Sequence, residues 1–311
     1  MRNLFFLFVK IAISTALMFF ALRKVNFYDL LARLDTRSVG WITLAILIAL
    51  LQIALSALRW RKITAECGAP LTNTQVMRFN MIGSFFNQTL PSSIGGDAVR
   101  IWLLRRTNVG WRKATHSVFI DRAIGMIGLA IIVVATLPWS YYLIGDTQGR
   151  YALLFIDFVA LAGGATFLIF GRLPWIWLAT RWQTKDIFTC SVITNRLIFG
   201  SARGLMIVAL SLFIHFLSAA VAWSVVRSIA APVSFLQLFE LIPPVILITM
   251  VPISIAGWGV REATMGLAFG YAGLMVSEGV NVSLLFGAVT FFVGTLGGLV
   301  WIFGPEKSAA P

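Results

Sequence analysis

Charge is scarce in this chain. Only 12% of its 311 residues are charged, 25 of them basic and 12 acidic. A soluble globular protein carries about 25% charged residues, so the polar surface is too small to cover a water-soluble particle. No polar stretch of roughly 100 residues remains for a soluble catalytic domain. Cysteine and histidine are scarcer still, limited to Cys67, Cys190, His116 and His215. Two cysteines make no disulfide framework and no metal-type spacing, and so few soft ligands leave a zinc site short. No GxxxxGK[ST] stretch occurs, so a phosphate-cradling nucleotide loop is absent. Neither a metal nor a cofactor is expected.

Apolar residues make up 59% of the chain. Six runs, at 4–22, 41–58, 118–143, 151–170, 204–226 and 280–303, are long enough to cross about 30 Å of hydrocarbon as helices rising 1.5 Å per residue. The first is too long for a secretion-signal core and ends in Arg23-Lys24 with no small-residue cleavage pattern, so it reads as a retained span. The net charge of +13 comes from basic residues at the ends of apolar runs, which fits topology and anionic lipid better than nucleic acid. The expected fold is an all-α polytopic membrane protein.

Between the first two spans, Phe27, Leu30, Leu31 and Leu34 recur at helical spacing over Phe27 to Ser38, while Asp29, Arg33, Asp35 and Arg37 take the other face. This pattern predicts an interfacial helix. Pro174 to Trp182 reads either as a second interface-lying segment or as an ordinary loop. The segments around Arg59, Arg61 and Lys62, around Arg105, Arg106, Arg112 and Lys113, and the loop holding Arg172, Arg181, Lys185, Arg196 and Arg203 are basic, whereas 144–150 and 227–234 carry one basic residue each. The bias predicts a plasma-membrane protein with both termini cytoplasmic. One loop opposes it, because residues 23–40 face outward with Arg23, Lys24, Arg33 and Arg37, two of them offset by Asp29 and Asp35.

Two further apolar regions, about 75–105 and 235–275, are interrupted by proline, glycine and charge. Pro91-Ser92-Ser93-Ile94-Gly95-Gly96-Asp97-Ala98-Val99-Arg100 aligns without gaps to Pro252-Ile253-Ser254-Ile255-Ala256-Gly257-Trp258-Gly259-Val260-Arg261, with six identities in ten. The motifs lie 161 residues apart, and the spans before and after them are offset by 163 and 162. The repeat therefore covers span, broken segment, span. Three full spans separate equivalent points, so if each broken segment dips in and returns, the two copies face opposite ways as an inverted repeat with two re-entrant hairpins. The single membrane domain, 1–311, divides into an N-terminal span and interfacial helix (1–40), a first half (41–143), a connecting span and loop (144–203) and a second half (204–304).

Unwound backbone at membrane depth is tolerable only inside protein or beside a water-filled cavity. Pro91 and Pro252 stop one half-helix, Gly95, Gly96, Gly257 and Gly259 give the turn its freedom, and Ser92, Ser93 or Ser254 can cap the next half-helix. That helix then points its positive end into the break, where anions collect. Asp97 and Arg100 share one face there, and Arg261-Glu262 stands at the matching place. Two readings are open: Arg100 and Arg261 bind a phosphate with Asp97 or Glu262 positioning them, or the four form ion pairs that lock the hairpins together. Asp121-Arg122 belongs either to the ligand cavity or to a static pair near the interface. Asn87 and Gln88 can hydrogen-bond a headgroup, and Arg78 and Glu240 also lie in the broken segments. His215 reads as a bonded interhelical histidine, Lys10 as snorkelling to the interface, and the pairs Gly266/Gly270 and Gly294/Gly298 as close-packing sites.

Taken together, Gly83-Ser84-Phe85-Phe86-Asn87, Leu90-Pro91, Gly95-Gly96-Asp97-Ala98-x-Arg100, Ser117-x-x-x-Asp121-Arg122-x-x-Gly125 and the stretch Pro252 to Glu262 resemble the lysylphosphatidylglycerol synthase transmembrane region family, the flippase-like domain proteins. The likeness runs from about residue 10 to 305. In bifunctional members this region precedes a soluble aminoacyl transferase domain and is thought to move the aminoacylated lipid across the bilayer. Because the sequence stops at Pro311 soon after its last span, the resemblance implies a stand-alone flippase-like unit that does not aminoacylate lipid. Ala256, standing where the first copy has Gly95, is expected to stiffen the second break.

The leading expectation is a non-enzymatic carrier of an anionic-headgroup lipid, phospholipid or polyprenyl-phosphate-linked, with the two broken segments as headgroup site. The alternatives are a membrane-embedded enzyme using Asp97, Asp121 and Glu262 on a lipid-linked phosphate or glycan, and a non-transporting scaffold for a separate lipid-modifying enzyme. No nucleic-acid partner is expected.

Overall fold

The computed structural model describes residues 12, 14–23, 25–90, 94–174, 181–200, 202–251 and 254–304. Within them the chain is helical, with no strand. In order the helices are α1 (14–22), α2 (Phe27–Ala32), α3 (Thr36–Glu66), α4 (Asn73–Thr89), α5 (Gly95–Arg105), α6 (Trp111–Leu143), α7 (Thr147–Phe170), α8 (Lys185–Phe199), α9 (Ala202–Ser228), α10 (Phe235–Thr249), α11 (Val260–Tyr271) and α12 (Val276–Phe303). Five of these, α3, α6, α7, α9 and α12, are long and apolar enough to cross a membrane. They contain the runs expected at 41–58, 118–143, 151–170, 204–226 and 280–303. The protein is an all-helical, polytopic integral membrane protein. Residues 4–11 (Lys10 among them) and 13 of the expected span at 4–22 lie outside the described residues, as do 175–180 of the expected interface segment, Pro91 to Ser93, and Pro252 and Ile253.

The single interfacial helix expected over Phe27 to Ser38 is instead two elements. Asn26 caps α2 by accepting the Tyr28 and Asp29 N–H groups at 3.2 and 3.3 Å. Asp35 then starts a new helix, its carboxylate accepting the Ser38 N–H at 2.9 Å while the Asp35 N–H donates to the Ser38 hydroxyl. This reciprocal cap places residues 36–40 in the long α3 rather than on the interface. Arg33, counted above toward orientation, is spent on Asp29 at 2.9 Å and on the buried Glu278 at 2.6 Å.

Lipid tails are as apolar as leucine, so packing and hydrogen bonds rather than water exclusion hold such helices together. Close packing is visible where glycines remove side-chain bulk. On α12, Gly297 lies against the Met81 carbonyl and Gly298 against the Phe85 ring, which seats α12 on α4. Gly128 of α6 meets Ser211 of α9, and Gly266 of α11 meets Val276 and Val280 of α12. The expected bond of His215 is present, joining its Nε2 to the Gly125 carbonyl at 2.9 Å.

The pairing interleaves the two motif-bearing stretches. α3 packs along α9, α4 packs on α12, and α10 packs on α6. Two buried apolar clusters result. One joins α3, α9, α10 and α12 through Ala49, Val225, Ile242 and Val293; the other joins α3, α4, α5 and α6 through Trp60, Ile82, Leu104 and Ile124.

Candidate functional site

The first break leads directly into α5. Its opening turn holds Gly95, Gly96 and Asp97, with Ile94 at the cap position and no side-chain cap of its own. The missing cap comes from the preceding helix, where the Asn87 side chain accepts the Gly96 N–H at 2.9 Å. Gly96 lies against the Gly83 carbonyl and the Asn87 side chain, so a β-carbon there has no room. Asn87, read above as a headgroup ligand, thus serves first as the cap of α5.

From that turn a continuous network of charge runs across the bundle. The Arg122 Nε donates to Asp97 Oδ2 at 2.5 Å, and Arg100 Nη1 donates to Asp97 Oδ1 at 3.3 Å. Arg100 Nη2 reaches Asp121 Oδ2 at 2.9 Å, and Arg59 Nε takes the other Asp121 oxygen at 3.0 Å. Arg59 also donates to Ser211 Oγ on α9 at 3.1 Å. The Arg100 guanidinium lies 4.0 Å over the Trp60 ring, where a cation gains from the π face. Arg59, Asp97, Arg100 and Asp121 are all buried. Arg122 alone keeps substantial exposure, with 39% of its side chain accessible.

The second break has a different geometry. α11 begins at Val260, whereas the position aligned with it, Val99, is already the fifth residue of α5. The extra turn is built from left-handed backbone at Ala256 (φ 50°), Gly257 (φ 79°) and Gly259 (φ 84°). Alanine adopts this region only at a cost. Ser254 is buried but does not cap α11, contrary to the sequence expectation; Glu262 reaches back to accept the Gly259 N–H at 2.7 Å. Its other oxygen accepts Arg261 Nη2 at 2.8 Å and the Ser283 hydroxyl at 2.9 Å. The break is further closed by α1, whose Ser14 hydroxyl accepts the Ile255 N–H at 2.9 Å.

Both half-helices therefore carry an acid in the first turn, Asp97 in α5 and Glu262 in α11. These carboxylates already offset the positive helix ends, so neither end is a bare anion site as expected from sequence. Among the described residues the ion pairs do not join the two broken segments: those of Asp97, Arg100, Asp121 and Arg122 lie within α3, α5 and α6, and that of Arg261 is with its neighbour Glu262.

A cavity of about 780 Å³ opens between the two breaks. Asp97, Arg122 and Asn87 enter it from one side and Ala256, Gly257 and Arg261 from the other, while Ile101, Phe119, Ile242, Met250 and Phe286 make its walls apolar. A second, smaller cavity of about 190 Å³ is lined mainly by polar side chains, among them Arg59, Asn80, Ser84, Arg100 and Asp121. Asn87 and Arg122 border both.

Of the residues singled out from sequence, Asn87, Gly96, Asp97, Arg100, Asp121 and Arg122 come together around the first break, with Gly95 packed on Leu90 beside them. Gly257, Gly259, Arg261 and Glu262 gather at the second, and Ser93 lies outside the described residues. Arg59, Trp60, Ser211 and Ser283 were not foreseen. Arg59 was counted among cytoplasmic charges because it ends an apolar run; the one available hint was Asp121, a carboxylate within a span that requires a partner.

A comparison with curated proteins gives no match. The sequence pattern defining the lysylphosphatidylglycerol synthase TM region matches residues 7–298, nearly the whole chain. With five membrane-length helices, two glycine-bearing breaks and this match, the protein belongs to the lysylphosphatidylglycerol synthase TM region family, a lipid-related membrane domain.

Proposed function

We propose that the protein carries a lipid with an anionic headgroup between the leaflets of the plasma membrane, acting as a flippase-like unit rather than an enzyme. The observation behind this reading is the 780 Å³ cavity, whose walls are apolar and whose few charged groups come from both breaks. Apolar walls with a small number of placed polar groups suit a molecule that is mostly hydrocarbon with one charged end. The carboxylates Asp97, Asp121 and Glu262 are each bound to guanidinium groups, which favours anchoring over proton transfer.

In this reading the two motif-bearing stretches are an inverted repeat and the pairs α4–α5 and α10–α11 are re-entrant hairpins, with both termini cytoplasmic. The interleaved pairing of α4 with α12 and α10 with α6 supports it, since rocking one half against the other then opens the shared cavity alternately. The test is leaflet exchange of labelled anionic lipids in liposomes containing the purified chain. Exchange is expected with the intact protein and is expected to fall at least about tenfold in Arg122→Gln, whose half-exposed side chain is not part of the packed core. Exchange unaltered by that substitution would sink the proposal.

A further inference from the structure

Resting on the lipid-carrier reading, we infer that the small polar cavity is the seat of the lipid phosphate and that it selects a phosphodiester, with one negative charge, over a phosphomonoester or pyrophosphate. The cavity adjoins the large apolar one through Asn87 and Arg122. A lipid whose chains occupy the large cavity thus meets the Arg122 guanidinium where the two spaces join.

Charge sets the selection. The hydrogen-bonded network around the small cavity holds three guanidinium groups, Arg59, Arg100 and Arg122, against two carboxylates, Asp97 and Asp121, a surplus of one positive charge. A buried, uncompensated charge is costly, and one phosphate anion cancels this surplus. A second negative charge finds no further cation in the network. The network is also richer in donors than acceptors: the Arg100 Nε–H is buried with no hydrogen-bond partner. Arg122 already gives its Nε–H to Asp97, which leaves its terminal nitrogens as the half-exposed donors at the junction. The second break has no such surplus, because Arg261 is neutralised by Glu262, so the phosphate seat belongs to the first break alone.

The phosphodiester can stand on a glycerolipid or on a polyprenyl chain, and a four-probe competition separates charge from scaffold. Full-length protein in an uncharged sugar detergent is loaded, in separate samples, with fluorescent phosphatidylglycerol or with a fluorescent polyprenyl phosphodiester sugar. Each is then challenged with phosphatidylglycerol, phosphatidic acid, a polyprenyl phosphodiester sugar and a polyprenyl pyrophosphate. Phosphatidic acid is a monoester that takes a second charge near neutrality. At least one phosphodiester is expected to compete at a concentration about tenfold lower than its more highly charged counterpart. Which of the two does so names the scaffold.

Asp97→Asn raises the surplus to two and is expected to narrow or reverse the preference, while Arg122→Gln cancels it and is expected to weaken phosphodiester binding about tenfold. Equal or tighter binding of the doubly charged lipids by the unaltered protein overturns the inference, as does an unchanged preference in Asp97→Asn or failure of all four to bind. If Asp97→Asn does not fold, the unaltered protein and Arg122→Gln decide. Binding with the expected preference but no leaflet exchange would refute the carrier reading and leave the seat standing.

Discussion

Arg59 on α3 and Asp121 on α6 stand 62 positions apart in the chain and meet at 3.0 Å in its interior. Asp121 simultaneously holds Arg100 at 2.9 Å, so one carboxylate ties α3, α5 and α6 together.

Replacing Asp121 with asparagine leaves two buried guanidinium groups without their shared counter-charge. Breaking a buried pair from one side costs about 3–5 kcal/mol. The melting temperature of Asp121→Asn in detergent is expected to drop below that of Arg122→Gln, because the buried Asp97 keeps Arg100 at 3.3 Å when Arg122 is lost. Equal melting temperatures for the two variants would show that Asp121 is not the tie.

Gly96→Ala is expected to destabilise strongly, because the new β-carbon runs into the Gly83 carbonyl, which is backbone and cannot swing aside. Overpacking of this kind costs about 1–3 kcal/mol or more. Gly163 in α7 is the control: nothing lies within 4 Å of a β-carbon there. Gly163→Ala should match or slightly exceed the parent protein in thermal melting, given the better helix propensity of alanine.

At Ala256 the sign is opposite. Its φ of 50° is left-handed, and glycine at that position removes a penalty of about 1 kcal/mol, partly offset by greater freedom in the unfolded chain. Ala256→Gly should therefore raise the melting temperature slightly. A fall would mean that the methyl group packs more favourably than its backbone is strained.

The link between α6 and α8 should respond to acid. Asp186 accepts Arg112 Nε at 2.7 Å and lies 2.9 Å from His116 Nε2. Those hydrogen bonds, Arg112 first, hold its carboxyl below the ordinary carboxylate range. A depressed folded value stabilises above the unfolded value, and the contribution disappears as pH falls through the folded one. Protection factors for hydrogen exchange across 185–199, taken relative to the intrinsic rate at each pH, should fall on acidification in the parent protein. In Asp186→Asn protection should already be lower at neutral pH and should change less.

The long helices were legible in the sequence because each is an apolar run of membrane length, a signal local to its own residues. The grouping of Asp97, Arg100, Asp121 and Arg122 was partly legible, since charge inside a span must find a partner. Arg59 was not, because a basic residue at the end of an apolar run looks the same whether it snorkels to the interface or turns inward. The unlike breaks were also hidden. Proline, glycine and arginine recur at matched positions, yet Gly96 is helical while its counterpart Gly257 is left-handed, since Asn87 caps α5 early and Glu262 caps α11 late. Those caps depend on side chains brought together by folding. The start of α3 turned on one residue, Asp35, whose capping role the hydrophobic spacing around it concealed.

The hydrogen bond between Ser14 and Ile255 spans 241 positions. On the ribosome α1 is made early, whereas the turn it covers emerges only after α10 has been synthesised. The first helix must wait with that flank uncovered until the turn arrives. Docking of α1 is then among the last events of biogenesis, and an early helix closes a late turn.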